Sequence, residues 1–435
     1  MLREVLTGPS HPKEPEMGGS PRVVVSTGQA LPRMAWSEEL TDLTDVWPYL
    51  GPTWLAATEK VLPEAQPWHT VATRARGELA VLPGYVIAEP PAVDHEPRTY
   101  LGWQAPTGEE VCCGAETDSA RSAEIDALGT DPFFPTLLLG SPLGYRTDLA
   151  YNFWTPTLVG TLVEKLLPAA FDAGIRCVLA PWIPDRRVGR DLVTALDAAG
   201  AHHTFWGYED YLSLDAPDWE GHLAALPLKK RQRIKADVRK AAAAGLTIER
   251  VDGTGIRPYV ERIAELTCLN REKNGAGEEP GHIAGILTAL IDEGADVRAY
   301  LGRKNGELIA SCITIRKQHR LFPKWAGFDY AAIGERSGVY FALVLDAPVR
   351  DAYAEGLRTV EFGAGAHRAK VLRGCTPRAK TTSLLLADPD LRPRAAAWLD
   401  AFGSGRRSAF GDAVPAPPAS LPLTNTSSGG CCSAG

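Results

Sequence analysis

No run of about 18 apolar residues occurs in the 435-residue chain, which excludes a helix that spans a membrane. The opening segment, Met1 to Pro21, lacks the apolar core of a secretory signal. It carries Pro9, Pro12, Pro15 and Pro21 instead and reads as a flexible leader, so a cytoplasmic location is expected. Zinc-type spacing is missing too. The eight cysteines include two adjacent pairs, Cys112-Cys113 and Cys431-Cys432, but no two CxxC units; they read as buried or free thiols, and no metal is expected. Excess positive charge is also absent: a net charge of −7 argues against general nucleic-acid binding, while a local basic patch could still meet a phosphate-bearing ligand.

What is present is an ordinary globular composition, 45% hydrophobic and 23% charged, in a chain long enough for two domains with their own cores. A weak internal repeat supports duplication. Leu158 to Ala173 is amphipathic, Gly174 stops it, and Ile175-Arg176-Cys177-Val178-Leu179 follows as a strand. Val339 to Glu355, Gly356 and Leu357-Arg358-Thr359-Val360-Glu361 repeat the phrase. A glycine after a periodic helix supplies the left-handed cap that other residues resist, and the aliphatic run behind it enters a sheet. Pro168 and Pro348 are expected to kink or shorten their helices.

The second half reads further. Tyr259 to Arg271 and His282 to Asp292 are expected helices. Val297 to Leu301 and Leu308 to Ile315 flank the hairpin turn Asn305-Gly306, and strands follow at Leu321–Phe328, Thr359–Phe362 and Thr381–Leu386. This is an α+β layout with a mixed sheet flanked by helices. From about Arg406 the sequence becomes Pro, Ala, Ser, Gly and Thr and is expected to be disordered.

Three segments carry candidate chemistry. Asp329 to Gly338 runs from a strand into a helix start, where free backbone N–H groups and the helix dipole suit a pyrophosphate, with Arg336 adding charge; Ser337 and Gly338 as simple caps are the alternative. Glu361-Phe362-Gly363-Ala364-Gly365, continuing through His367, Lys370 and Arg373, places glycines at a strand end with ionisable groups behind them. Lys229 to Lys240 forms a basic helix with Ile234, Val238, Ala241 and Ala242 on one face and Lys229, Arg233 and Lys240 on solvent. Arg231 falls in the apolar sector and needs an anionic partner.

These segments, in this order, resemble the GNAT superfamily, specifically its double-domain branch with the Fem-type peptidyltransferases of bacteria. The resembling text is Leu228 to Gly245, Trp325-Ala326-Gly327-Phe328-Asp329, Ser337-Gly338, and Glu361 to Gly365 with Lys370. The resemblance implies two tandem GNAT-like domains: a leader at 1–22, an N-terminal domain at 23–216, a C-terminal domain at 217–390 with the basic helix at 228–245, and a helix remnant with a disordered Cys-containing tail at 391–435. It further implies transfer of an acyl or aminoacyl group to the amine of a peptide or small-molecule acceptor, with the donor held in a split between two central strands. Asp329, Glu361 and His367 are the candidate proton acceptors. Arg336, Ser337, Gly338, Val339, Tyr340 and Arg231 are the candidate donor ligands, and Trp325, Gly363, Gly365, Lys370 and Arg373 the candidate acceptor contacts. The donor loop of ordinary acetyltransferases ends on a small residue, whereas Arg336-Ser337-Gly338-Val339-Tyr340 does not. That departure turns the expectation from acetyl-CoA toward a larger acyl carrier, either aminoacyl-tRNA or an acyl carrier protein.

A catalytically silent double fold that recognises a peptide or peptidoglycan precursor is the rival. The transferase requires an open groove beside Gly338 with Arg336 and Arg231 nearby; the recognition module permits a filled one. Thr424 to Gly435, rich in Ser, Thr and Cys, also resembles the core of a ribosomally made, modified peptide, with a plain disordered tail as the default reading.

Overall fold

A glycine closes each repeated helix and sends the chain into the sheet, and these two turns organise the residues that the computed structural model describes: 24–28, 47–74, 78–89, 95–103, 118–274, 277, 279–334 and 337–410. The expected leader, Arg336, both cysteine pairs and the segment Thr424 to Gly435 lie outside the described residues. The first half contributes β1 (Val24–Gly28), β2 (Gln66–Pro67), β3 (His69–Arg74), β4 (Glu78–Leu82), β5 (Gly84–Ile87), β6 (Thr136–Leu139), β7 (Ala150–Tyr151), β8 (Cys177–Pro184) and β9 (His202–Ser213). The second contributes β10 (Thr247–Asp252), β11 (Val297–Lys304), β12 (Glu307–Lys317), β13 (Arg320–Phe328), β14 (Thr359–Gly363) and β15 (Thr376–Leu386).

The helix Pro156–Asp172 ends at Gly174, φ +87°, and feeds β8; the helix Ala347–Ala354 ends at Gly356, φ +67°, and feeds β14. Each of these strands joins an earlier one in parallel, β8 on β6 and β14 on β13, as a helical crossover demands. The internal repeat is therefore a structural one. Asn305 and Gly306, at φ +53° and +85°, make the expected hairpin turn between β11 and β12. The two prolines act differently. Pro168 sits inside an unshortened helix of 17 residues, whereas Pro348 stands two residues past a π-helical stretch, Phe341–Asp346, because proline removes a donor from the ladder and crowds the carbonyl a turn back.

Four strands form a small sheet in the order β1-β3-β4-β7. The other eleven form one continuous sheet, β10-β11-β12-β13-β14-β9-β15-β8-β6-β5-β2. The halves exchange strands: β9 lies between β14 and β15, and β15 between β9 and β8. One apolar layer packs the helices Pro52–Val61, Val260–Lys273 and Pro280–Asp292 on one side, and another gathers Leu343, Leu345, Val360 and Phe362 under the π-helical stretch. Among the described residues no helix is long and apolar enough to cross a membrane.

The expected start of disorder at about Arg406 is corrected only as far as Phe410, and residues 411–435 lie outside the described residues. The helix Arg392–Phe410 continues through that point, with Arg406 Nε donating to the Trp206 carbonyl at 2.7 Å. Phe402, Arg406 and Phe410 recur at helical spacing on the face that meets β9, and a count of apolar positions alone passes over a face whose middle member is an arginine.

Candidate functional site

Successive side chains of a strand point to opposite faces, so Glu209 and Asp210, neighbours on β9, enter two different environments. Glu209 enters a buried cluster at the seam between the halves. Its carboxylate accepts from Arg146 at 3.1 Å and Arg378 at 2.9 Å, with Lys380 Nζ at 3.0 Å. Arg146 also reaches Asp148 at 3.2 Å, and Arg378 reaches Glu361 at 3.4 Å. The Trp47 indole lies in the middle, with the guanidinium carbons of Arg146, Arg186, Arg320 and Arg378 at 3.2, 5.4, 5.6 and 5.9 Å from its ring. Among the described residues, Arg146, Arg186, Arg378 and Lys380 thus pair with Glu209, Asp148 and Glu361.

Burial alone would push the Glu209 carboxyl up, but Lys380, Arg146 and Arg378 outweigh it and hold the group well below the usual carboxylate range. Glu361 goes the other way. Burial raises it, Arg378 offsets only part of the rise, and Glu209 adds to it. Its place in the sheet is also distinctive. β13 and β14 pair in parallel only at Arg320–Thr359 and Leu321–Val360, then part, and Glu361 is the first residue of β14 beyond the last pair.

Asp210 lies on the opposite face. His367 Nδ1 is 2.6 Å from its Oδ2, and Lys370 Nζ is 3.7 Å from the same oxygen. Lys370 also donates to the carbonyls of Phe362, Gly363 and Ala364, which clamps the loop where Gly363 and Gly365 turn at φ +67° and +75°. On this face Arg373 bridges Asp346 and Asp237, each at 3.0 Å, and so ties the π-helical stretch to the basic helix Leu228–Ala243. Burial pushes the Asp346 carboxyl up to about 6, against the pull of Arg373.

The basic helix passes directly over Gly338. A Cβ there would lie 2.5 Å from the Asp237 carbonyl oxygen, at a backbone φ of +79° that side chains resist. Gly338→Ala is expected to destabilise the protein by about 2–4 kcal/mol, from the left-handed backbone and the clash together, measured by denaturant unfolding. An unchanged midpoint would mean that the helix does not bear on Gly338.

The chain matches, over residues 186–413, a protein family described as peptidoglycan biosynthesis/recognition. It belongs to the FemAB-like family. No curated protein matches it in sequence. The FemAB-like chain superposes on the crystal structure of FemX with a TM-score of 0.54 at 12% identity, covering 84% of this chain and 98% of FemX. A tandem GNAT protein from the clavulanic acid biosynthesis pathway matches with a TM-score of 0.45 at 12% identity, covering 85% and 99% of the two chains. A GCN5-related N-acetyltransferase from Sphaerobacter thermophilus matches at 0.38 and 12%, covering 84% and 96%. The fold is α+β with a mixed sheet, and FemX shares it over most of both chains.

The expected site residues of this FemAB-like protein fall into separate groups. Glu361 joins the seam; His367 and Lys370 meet at Asp210; Arg373 sits in the joint with Asp237 and Asp346. Asp329 stands apart, accepting from the Ala332 N–H at 3.0 Å and from Arg262 at 3.2 Å as the cap of the short helix Tyr330–Ile333. Trp325 is buried and stacks on Trp54 with ring centroids 6.3 Å apart. Val339 is core, and the Tyr340 ring packs between Phe328 and Phe341. The Ser337 Oγ accepts from the Val339 N–H at 3.5 Å. Arg231 finds a carbonyl, that of Ala224, at 3.3 Å where a carboxylate or phosphate was expected, because the preceding helix Trp219–Ala225 ends against it. Sequence reasoning missed Trp47, Arg146, Glu209, Asp210, Arg378 and Lys380. A signal existed for the last two: cations two apart in a strand share one face, and a buried face must supply carboxylates.

Proposed function

We propose that this FemAB-like protein is an N-acyltransferase that moves an acyl or aminoacyl group from a carrier to an amine of a peptide or cell-wall-like precursor. The observation that carries the reading is Glu361, a buried carboxyl with a raised pKa at the point where β13 and β14 part, facing a cluster rich in cations. A neutral amine attacks the ester or thioester carbonyl of the donor, the nitrogen gains positive charge and Glu361 takes its proton; the carbon–oxygen or carbon–sulfur bond to the carrier then breaks, and the carrier leaves as alcohol or thiol with that proton returned. The positive side chains around Glu361 draw in an acceptor that carries carboxylates and favour the developing oxyanion. Membership of a family described by peptidoglycan biosynthesis/recognition supports a precursor of that chemistry.

For the donor, the closed contact at Gly338 disfavours a CoA pyrophosphate at that helix start, since it would have to displace the Asp237 backbone. The exposed side of the basic helix offers another mode. Lys229, Arg233, Lys235, Arg239 and Lys240 all lie on solvent, spread over about 17 Å of the helix. That length suits the phosphate backbone of an aminoacyl-tRNA better than a compact nucleotide. Replacing Lys229, Arg233 and Lys240 together with Glu is expected to weaken charged-tRNA binding at least tenfold and to flatten its dependence on log salt by about three units, read by filter binding. Equal affinity and slope would rule the helix out as the docking face.

The recognition module is the second reading, and the filled space beside Gly338 is the observation on its side. One experiment separates the two. Purified protein is given labelled aminoacyl-tRNA, acyl-CoA or acylated carrier protein together with an acidic peptide that bears a free amine. Label on the peptide nitrogen, with a raised KM for the peptide in Arg378→Ala, supports the transferase. Saturable peptide binding with no transfer from any of the three carriers would replace it by the recognition module.

A further inference from the structure

Asp237, on the basic helix, bears on the chain between Gly338 and Asp346 at both ends. Its backbone carbonyl lies over Gly338, and its buried carboxylate accepts from Arg373 Nη2 at 3.0 Å. Arg373 Nε donates in turn, also at 3.0 Å, to Oδ1 of Asp346, the last residue of the π-helical stretch. One edge of a single guanidinium is thus divided between two carboxylates on two different helices.

The bridge is under-bonded. Asp346 Oδ2 and Arg373 Nη1 are buried without a hydrogen-bond partner among the described residues, and both residues line, with Leu345 and Phe362, a cavity with room for about one water molecule. Arginine also binds a single carboxylate through two nitrogens at once. Arg373 therefore has a second arrangement, in which Nε and Nη2 both close on Asp346, Oδ2 gains a donor and Asp237 is released. Beyond Asp346 the contacts run to the candidate base. Leu343 and Leu345 pack in one apolar layer with Val360 and Phe362, the neighbours of Glu361 on β14. π-Helical turns are rare and concentrate at functional sites.

We propose that Asp237, Arg373 and Asp346 are positioning residues, which carry the docking of a polyanionic acyl carrier on the basic helix through the π-helical stretch to Glu361. A carrier seated on the basic helix favours the state in which that helix is anchored, the spanning arrangement of Arg373 seen here. Asp346 is then held, and Leu343 and Leu345 fix the strand on either side of Glu361. With the helix unoccupied, Arg373 exchanges toward Asp346 alone and the stretch loosens. The inference rests on the transferase reading and on its docking face.

Two substitutions cut the bridge from opposite ends, and each leaves Arg373 one carboxylate: Asp237→Ala keeps Asp346, and Asp346→Ala keeps Asp237. Full-length protein is mixed with uncharged tRNA and followed by hydrogen–deuterium exchange, then assayed for transfer from aminoacyl-tRNA to the acidic amine peptide. In the wild type, tRNA is expected to slow exchange by about fivefold or more in both the basic helix, Leu228–Ala243, and the π-helical stretch, Phe341–Asp346. In each variant the slowing is confined to the basic helix, tRNA affinity stays within about threefold and kcat falls by about tenfold or more. Either variant that folds is sufficient. A π-helical stretch that tRNA leaves unchanged in the wild type, or protects equally in a folded variant, would overturn the bridge and leave the docking face standing, as would wild-type kcat in that variant. Coupled slowing without any transfer product would support the bridge and overturn the transferase reading. No slowing in the basic helix would remove the docking face and the inference with it.

Discussion

Glu361→Gln is expected to lower kcat by about 10²–10⁴-fold with little change in KM for the amine, because it removes the proposed proton acceptor and keeps the shape and one acceptor oxygen for Arg378. The pH dependence carries the sharper signature. Burial raises the Glu361 carboxyl above its ordinary value of 4.5, so the wild-type rate climbs with pH through that raised value as the base becomes deprotonated. In Glu361→Gln this acid limb disappears and the residual rate follows only the ionisation of the substrate amine. Steady-state kinetics from pH 5 to 9 decide it. A variant that keeps both the rate and the acid limb would remove Glu361 from the reaction.

Glu209→Ala is the largest expected loss of stability. It leaves Arg146 and Lys380, both fully buried, without the carboxylate they share, and a buried charge stripped of its partner costs about 3–5 kcal/mol. An exposed pair serves as the comparison: Arg394→Ala, which breaks the contact with Glu124, is expected to change stability by less than about 0.5 kcal/mol. The pH trend follows from the same cluster. The Glu209 carboxyl is held below its unfolded value, so its stabilisation is complete above about pH 4.5 and is lost as pH falls toward the folded value. Thermal unfolding between pH 3 and 7 therefore shows a steeper acid loss in the wild type than in Glu209→Ala. Parallel curves would place the acid sensitivity elsewhere.

The candidate site was only partly legible. Glu361 and His367 stood out because glycines and ionisable groups crowd one strand end, yet the two face opposite sides of the sheet. Their partners Arg378 and Asp210 come from other strands, and no local pattern says which strand will lie alongside. In sequence Lys370 and Arg373 read as contacts for the acceptor. The fold gives them carbonyls and carboxylates instead, and a cation's partner cannot be read from its own neighbours in sequence.

What the chain determined locally is the set of helix-glycine-strand units, the Asn305-Gly306 hairpin and the exposed row of the basic helix, since periodicity, left-handed backbone and turn chemistry act over a few residues. What only the tertiary structure decided is the seam. Arg146, Glu209, Glu361 and Arg378 meet because the halves exchange β9 and β15, and such a pairing between distant strands is selected by the packing of the whole sheet.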